Sequence, residues 1–451
     1  MPSDRLFGPA SSTPAMLAAV SDDAWVEAML TVEAALARAE ARVGLIPPEA
    51  ANSITSALLA AKLDPEQLGR EAVSAGNPVI PLVKMLGTIV PAEAAGYVHW
   101  GATSQDILDT AMMLVARRAL ALIMQDTDAV AHAAADLAER YRSSVMPGRT
   151  LLQQALPTTF GLKAAGWLTA TMDARARVDE VQRSGLAVQF GGAAGTLAAL
   201  GERGVDVSRE LAAELDLVNP PLPWHASRGR VLALATALGI LTAAVGKTAQ
   251  DVVLLAQSEV AEVSEGAQPG RGGSSTMPQK QNPVGAVEVL ACVRGVNAQV
   301  GLLMGAALQE HERAAGGWQA EWPAVSELLR LSAGAVSRTA EMLGNLQVQT
   351  DRMARNLAQG GGLVMSESVM MTLAERTGRH RAHDLVTRAG AAAVNSGRGF
   401  STELKTDPEI SQQLSETEID AALDPNRYLG SAGALVDRAL AAYRSELTER
   451  S

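Results

Sequence analysis

Proline spacing is the feature that most constrains the fold of this chain. The chain has 20 prolines, yet residues 92–146, 158–219 and 284–322 contain none. Because proline removes a backbone donor and clashes inside a helix, each gap has room for a long uninterrupted helix. Hydrophobic residues make up 47% of the chain and aromatic residues only 3%, so Ala, Leu and Val must fill the core, which suits close helix packing. The sequence therefore predicts an all-α protein.

The length and the local patterns predict three domains. A chain of 451 residues exceeds one average domain. Helices before residue 98 are short and interrupted by prolines, and the charge pattern becomes more mixed after residue 346. We predict a small N-terminal domain (1–98), a central bundle of long helices (99–345) and a small C-terminal domain (346–451). Residues 230–265, rich in Ala, Leu and Val, read as a helix buried on most sides inside a bundle or an oligomer.

Charge and cysteine content exclude several classes of function. The formal net charge of −11 disfavours nucleic acid and anionic lipid, so an anionic substrate must meet a local cationic pocket. Cys292 is the single cysteine, and no Cys/His cluster has zinc spacing. His380 and His383 lack a third ligand. With no signal-peptide pattern and no apolar run of membrane length, we predict a cytoplasmic, metal-free protein outside the membrane.

The run 272–283, which reads GGSSTMPQKQNP, places a serine, a cation and a helix start within a dozen residues. Ser274 follows two glycines and could transfer a proton if nearby dipoles stabilise its alkoxide. Lys280 could neutralise a carboxylate, and Asn282 could donate to one or cap the helix that starts at Pro283. The simpler interpretation is a glycine-rich surface loop. We expect the segment 265–283 to be mobile.

Two further regions carry polar residues near predicted helix or loop ends. The first, 99–106, reads HWGATSQD, and the hydroxyls of Thr103 and Ser104 would lie beside free helix N–H groups that suit a carboxylate. Ser104 acting only as a helix cap and His99 acting only as a structural histidine remain open alternatives. The second region, 148–159, reads GRTLLQQALPTT.

The run 272–283 resembles the signature of the fumarase/aspartase superfamily, GSSxMPxKxNP, and matches every fixed position. The other two regions also match that superfamily in the expected order. The resemblance implies three helical domains, a homotetramer around a central helical bundle, and active sites shared by three subunits. It also implies substrate contacts at His99, Thr103, Ser104, Gln153, Thr158, Ser275, Met277 and Asn282.

Two substitutions distinguish this chain from the large lyase branches. Leu151 stands where those branches have an acid/base histidine, and Val287 stands where its partner glutamate should be, with Glu288 one position later. Loss of both argues against a histidine-dependent lyase. The chain instead resembles the bacterial 3-carboxy-cis,cis-muconate cycloisomerases over nearly its whole length. That resemblance implies a small tricarboxylate substrate, closed to a γ-lactone with Ser274 as proton carrier and no metal or cofactor.

Three arginines are candidates for binding such a substrate. Arg228 and Arg230 flank Gly229, where lyase relatives carry an aspartate between two arginines, and removal of that charge favours an anion. Arg313 lies in a turn-rich segment and could instead form a structural salt bridge with Glu312. Two rival functions stay open: a C–N lyase that releases fumarate from a succinyl or nitrosuccinate-type substrate, and an inactive structural relative.

Overall fold

The computed structural model describes residues 6–266, 272–273, 277 and 280–450. The chain divides into two compact units, each formed from three segments. Unit 1 comprises Met1–Asp128, Asp173–Gly246 and Glu288–Thr339, and unit 2 comprises Ala129–Met172, Lys247–Val287 and Ala340–Ser451. The division into three sequence-contiguous domains stays a prediction.

Helices dominate the described residues, which confirms the all-α prediction. In chain order the α-helices are α1 Gly8–Ser11, α2 Pro14–Ala19, α3 Asp22–Arg42, α4 Pro48–Ala60, α5 Pro65–Ala75, α6 Val79–Ile89, α7 Ala92–Ala95, α8 Ser104–Arg140, α9 Phe160–Glu180, α10 Gly204–Leu215, α11 Gly229–Leu255, α12 Val284–Ala306, α13 Gly317–Gly344, α14 Thr350–Ala358, α15 Ser366–Thr377, α16 Arg379–Ser396, α17 Phe400–Thr406, α18 Pro408–Gln413, α19 Glu416–Ala422 and α20 Ala432–Arg450. Short 3₁₀ or π turns occur at Val181–Gly185, Ala198–Arg203, Leu363–Met365 and Pro425–Arg427.

The long helices lie largely within the proline-free gaps. Helix α8, with 37 residues, lies in the gap 92–146, and α12, with 23, lies in the gap 284–322; the 27-residue α11 also lacks proline. Two predicted boundaries were wrong: α11 ends at Leu255 rather than near residue 265, and Pro323 lies inside α13 rather than marking a break. Pro323 is the seventh residue of α13, so the helix continues with one backbone donor fewer.

Two small antiparallel sheets accompany the helices. Strands β1 Val145–Thr150 and β2 Gln153–Thr159 form a hairpin, in which Thr150 pairs with Gln153. Strands β3 Val263–Glu265 and β4 Leu346–Val348 form the second pair. Neither pair was predicted. Both pairs lie in unit 2. The first carries the candidate residues Gln153 and Thr158, and β3 of the second precedes the run 272–283.

Two helices are long and apolar enough to cross a membrane by length and composition alone. The most apolar 18-residue window of α11 has a mean hydropathy of 1.7 and is 56% buried, and that of α12 has 1.4 and is 28% buried. The core helix of a soluble protein passes the same test. The low burial of α12 means that a large apolar surface is exposed in the single chain.

Candidate active site

The loop that leads into α8 carries the first candidate residues of unit 1. Gly101 has φ of 71°, and a Cβ there would lie 2.5 Å from the Leu200 side chain, so the turn needs glycine. The backbone N–H of Thr103 donates to Oδ2 of Asp106 at 3.0 Å. Ser104 is the first residue of α8. Thr103 and Ser104 therefore occupy a helix N-terminus, where unpaired N–H groups favour anions.

Asp106 joins this helix start to a glycine-rich segment. Its buried carboxylate accepts hydrogen bonds from the N–H groups of Gly191 at 3.0 Å and Gly192 at 2.9 Å. Nε2 of His225 lies 2.7 Å from its Oδ1. A Cβ on Gly191 would meet the His225 ring at 2.8 Å, so glycine permits this approach. These bonds place the backbone at residues 191–193 in a fixed position relative to Thr103.

Arg228 is buried, so it does not have the exposed position expected of a residue that binds an anionic substrate. It is 2% exposed, and its guanidinium binds Asp109, with Nη1 to Oδ2 at 2.6 Å, and Glu321, with Nε to Oε1 at 3.0 Å. Burial opposes its charge, but the two carboxylates outweigh burial and raise the pKa of Arg228. The guanidinium also lies 4.7 Å from the Trp224 ring. The structure thus makes Arg228 a buried crosslink, because carboxylates already occupy its nitrogens.

The other two candidate arginines are only partly buried. Arg313 donates from Nη1 to Oε1 of Gln105 at 2.9 Å and from Nη2 to the carbonyl of Ala193 at 2.7 Å. Its guanidinium is therefore bound to the segment that Asp106 fixes, and these bonds do not include Glu312, the alternative partner. Arg230 donates to the carbonyl of Gly185 at 2.9 Å, and burial lowers its pKa. Substrate binding by Arg313 and Arg230 stays a prediction.

His99 is paired with a carboxylate that sequence patterns do not reveal. Its Nδ1 lies 2.7 Å from Oε1 of Glu33, which belongs to α3. Burial opposes protonation of His99, but the charge and hydrogen bond of Glu33, with Asp106, outweigh it and raise the pKa of His99. His99 is therefore a candidate cation beside the N-terminus of α8.

In unit 2, the hairpin of β1 and β2 carries Gln153 and Thr158. Gln153 is exposed and Thr158 is half-buried. The two residues of the turn, Leu151 and Leu152, have φ of 50° and 65°, a conformation that favours Asn and Gly. Leu151 is 97% exposed. An apolar, non-titratable side chain thus stands at the tip, where the lyase branches have histidine.

A buried ion pair supports this hairpin within unit 2. Arg149 makes a forked contact with Glu262, with Nη2 to Oε1 at 2.6 Å and Nη1 to Oε2 at 2.9 Å. Nδ2 of Asn356 donates to the same Oε1 at 2.8 Å. The Glu262 side chain is fully buried. Because Glu262 directly precedes β3, the pair fixes the hairpin to the chain that leads to the signature run.

Much of the signature run lies outside the described residues, including Ser274 and Ser275. Their predicted roles therefore stay predictions. Among the described residues, Met277 and Lys280 are exposed. Asn282 bonds to the carbonyl of Gly272 through its backbone N–H at 2.9 Å and through Nδ2 at 3.1 Å. Asn282 thus closes the base of the run. The prediction that it caps the following helix is wrong.

A glutamate supplies the cap that was assigned to Asn282. Glu265 accepts from the N–H groups of Gly285 at 2.9 Å and Ala286 at 2.7 Å, in the first turn of α12. The helix begins at Val284, one residue later than predicted. Of the two residues near the missing glutamate position, Val287 is exposed and Glu288 pairs with Arg338 at 3.3 Å within unit 1.

Sequence patterns missed the carboxylates that hold these elements. Glu33 and Asp109 bind partners distant in the chain, and neither lies in a motif with a chemical role of its own. Asp106 ends the HWGATSQD region, which was its only signal. In the described part of the chain, no group of three His, Cys, Asp or Glu side chains could hold a metal ion.

Two family models match the chain. Residues 9–301 match the model described as Lyase, and residues 362–439 match the model described as Adenylosuccinate lyase C-terminus.

Known proteins match over nearly the full length. A 3-carboxy-cis,cis-muconate cycloisomerase of Pseudomonas aeruginosa is 45% identical over 99% of this chain and 98% of its own. A nitrosuccinate lyase of Streptomyces davaonensis is 44% identical over 96% of this chain and 94% of its own. The crystal structure of 3-carboxy-cis,cis-muconate lactonizing enzyme from Pseudomonas putida matches with a TM-score of 0.92 and 40% identity, over 98% of this chain and 99% of that one.

Proposed function

The chain belongs to the lyase family of the fumarase/aspartase superfamily, and we propose that it is a 3-carboxy-cis,cis-muconate cycloisomerase. Full-length similarity to a curated cycloisomerase and to a solved lactonizing enzyme carries the proposal. The exposed Leu151 supports it, because a leucine at the hairpin tip cannot transfer a proton. The product is the γ-lactone 4-carboxymuconolactone.

The reaction is an internal addition. One substrate carboxylate oxygen forms a C–O bond to a carbon of the double bond. The π electrons move to the neighbouring carbon and its carboxylate, and a proton then bonds to that carbon. No electron leaves or enters the substrate, so the chemistry needs no redox cofactor. The catalytic requirement is to stabilise the carboxylate that takes up charge and to supply one proton.

Anion binding and proton transfer fall to different residues of the chain. Thr103 and Ser104, at the N-terminus of α8, bind one carboxylate, and Lys280 neutralises the carboxylate that takes up charge. Arg313 and Arg230, which are only half-buried, bind the remaining carboxylates. Ser274 delivers the proton to carbon and removes it in the reverse reaction, while the loop from about Glu265 to Met277 closes over the substrate. Most of that loop, Ser274 included, lies outside the described residues. Arg228 is left out because its charge is already paired.

The active enzyme is a homotetramer whose sites are shared by three subunits. Support comes from α12, whose apolar window is only 28% buried in the single chain, so other copies would cover it.

The cellular compartment of the enzyme is the cytoplasm. Burial raises the pKa of the single thiol, Cys292, to about 11, so it is inert at neutral pH and no disulfide is needed.

A direct assay tests this function. Purified protein is given 3-carboxy-cis,cis-muconate, and loss of diene absorbance is followed while adenylosuccinate and argininosuccinate are assayed in parallel. We expect turnover of the muconate alone, with the lactone identified by mass spectrometry and NMR. No turnover of the muconate by folded protein would reject the assignment, and no turnover of any substrate would favour the inactive structural relative.

A second candidate function is elimination from nitrosuccinate or another succinyl compound. The 44% identity to a nitrosuccinate lyase favours it, since a good leaving group needs little help from a general acid. Fumarate formation from nitrosuccinate, measured by its ultraviolet absorbance, distinguishes the two. Fumarate release without loss of carboxymuconate would replace the cycloisomerase assignment.

A further inference from the structure

The pair of His99 and Glu33 has the geometry of a positioned imidazole. The Glu33 side chain is 1% exposed and that of His99 is 17% exposed, with 2.7 Å between Oε1 and Nδ1. A carboxylate only accepts hydrogen bonds, so Nδ1 must donate. Within the described part of the chain, no group bonds to Nε2 of His99. The buried carboxylate thus fixes the ring and leaves its second nitrogen for another partner.

The backbone at His99 gives an independent indication of function. His99 has φ of 58°, in the left-handed region that non-glycine residues rarely adopt. Strain of this kind persists where the surroundings enforce it and is concentrated at functional sites. Here the Ala102 N–H donates to the His99 carbonyl at 3.4 Å, and the contact with Glu33 holds the side chain. The strained residue precedes the N-terminus of α8 by five positions.

Electrostatics favour a charged ring at this position. Burial disfavours the imidazolium, but Glu33 on α3 and then Asp106 on α8 outweigh it and raise the pKa of His99. These two carboxyl groups act on His99 from two different helices. The ring therefore stays protonated to higher pH than a free histidine, beside a helix end that attracts anions.

We propose that Glu33 is a positioning residue that holds His99 as an imidazolium, so that Nε2–H binds one carboxylate of the substrate. The proposal rests on the proposed function, because a substrate with three carboxylates needs such a cation. His99 contacts the substrate, and Glu33 acts through His99. The imidazolium of His99 offers the substrate an N–H donor on a charged ring, which the buried Arg228 does not provide.

The same helix offers a matched control. Glu40 is fully buried on α3, and neither of its carboxyl oxygens has a partner among the described residues. Burial, and next the charge of Glu33, raise the pKa of Glu40 to about 9. The group is therefore neutral at pH 7, so Glu40→Gln changes neither charge nor shape there. Glu33→Gln keeps the acceptor for Nδ1–H but removes the negative charge.

Steady-state kinetics from pH 6 to 9 test the proposal in the intact enzyme. In Glu33→Gln we expect the high-pH limb of kcat/KM to move down by about one pH unit, because His99 loses its proton earlier. At pH 8, kcat/KM should fall by about tenfold, mainly through KM. Glu40→Gln should keep the wild-type limb. A wild-type pH profile in Glu33→Gln would overturn the proposal.

Two measurements keep the test independent of turnover and of the folding of one variant. NMR of histidine-labelled wild-type protein, with His99 assigned through His99→Gln, should give a midpoint above 6.5, and a midpoint at or below 6.5 would overturn the proposal. Calorimetry with citrate, a tricarboxylate probe, should show binding weakened about tenfold in Glu33→Gln at pH 8. Unchanged citrate affinity would refute the dyad, whereas inactive wild type with a responsive dyad would refute only the proposed reaction.

Discussion

Replacing Arg228 with methionine removes the only cation that Asp109 and Glu321 share in the described part of unit 1. Both carboxylates are buried, so we expect the free energy of unfolding to fall by about 3–5 kcal/mol. Urea unfolding followed by circular dichroism measures this loss. Arg230→Met, at a partly exposed guanidinium, serves as control and should cost under about 1 kcal/mol. Unchanged stability with a strongly raised KM in Arg228→Met would instead return Arg228 to the substrate site.

Ser274→Ala tests the proposed proton carrier. The proposed mechanism assigns proton delivery to this hydroxyl, so we expect kcat to fall by about 10²–10⁴-fold without it. KM should change little, since the anion-binding groups remain. Size-exclusion chromatography with light scattering checks that the assembly is intact. Activity close to wild type in a correctly assembled variant would remove Ser274 from the mechanism.

Glu40 gives the fold a pH dependence with a defined sign. Its pKa is about 9 in the folded chain and near 4.5 when unfolded, so between these values the folded state holds the extra proton. Stability therefore declines as pH rises from 4.5 towards 9. Glu40→Gln removes this term, and its Tm should exceed the wild-type value by more at pH 8 than at pH 5. An equal change in Tm at pH 5 and pH 8 would contradict the raised pKa of Glu40.

The sequence located several site residues but could not identify their partners. Motifs placed Thr103 and Ser104 at a helix start, because hydroxyl and glycine residues there have local signatures. Glu33 and His99 are separated by 66 positions, and Arg228 and Glu321 by 93. Such pairs depend on tertiary packing, which one sequence does not encode as a local pattern. Arg228 was therefore predicted as a ligand, although its environment makes it a crosslink.

Glu265→Ala tests how the first turn of α12 is held. Glu265 accepts from two backbone N–H groups that would otherwise lack partners. Its removal should weaken this helix start by about 1–2 kcal/mol. Hydrogen exchange followed by mass spectrometry should show faster exchange at residues 284–287 and little change in α20. Unaltered exchange at 284–287 would mean that Glu265 contributes nothing to the cap.

Helix existence was predictable from proline spacing, whereas boundaries and strands were not. Proline is excluded from a helix only where the lost backbone donor and the ring cannot be accommodated. Near the start of α13, Pro323 is accommodated. The β1–β2 turn was missed because Leu151 and Leu152 lack the Asn-Gly signature of a two-residue hairpin. The strands are short and their turn is strained, so packing rather than local preference determines them.

Charge and apolar surface together argue for assembly of several copies. The net charge of −11 keeps separate chains apart in general, so association needs a specific apolar face. Helices α11 and α12 provide such surfaces, with Ile240, Val287, Leu302 and Met304 exposed in the single chain. Their sequences are as apolar as membrane spans, yet α11 is more than half buried within the chain. Burial within the chain accounts for the apolar sequence of α11, and the proposed assembly accounts for that of α12.

Leu302→Asp tests whether this face is an interface. Leu302 is 43% exposed on α12, and a carboxylate buried between copies would lose its hydration without a partner. We expect the proposed tetramer to dissociate to smaller species, with turnover lost because the proposed sites, shared by three subunits, become incomplete. Val73→Asp, at an 85% exposed position of α5, is the matched control and should remain tetrameric. If light scattering finds a tetramer in Leu302→Asp, the subunit interface lies elsewhere. If it finds a monomer in wild type, the proposed tetramer is excluded.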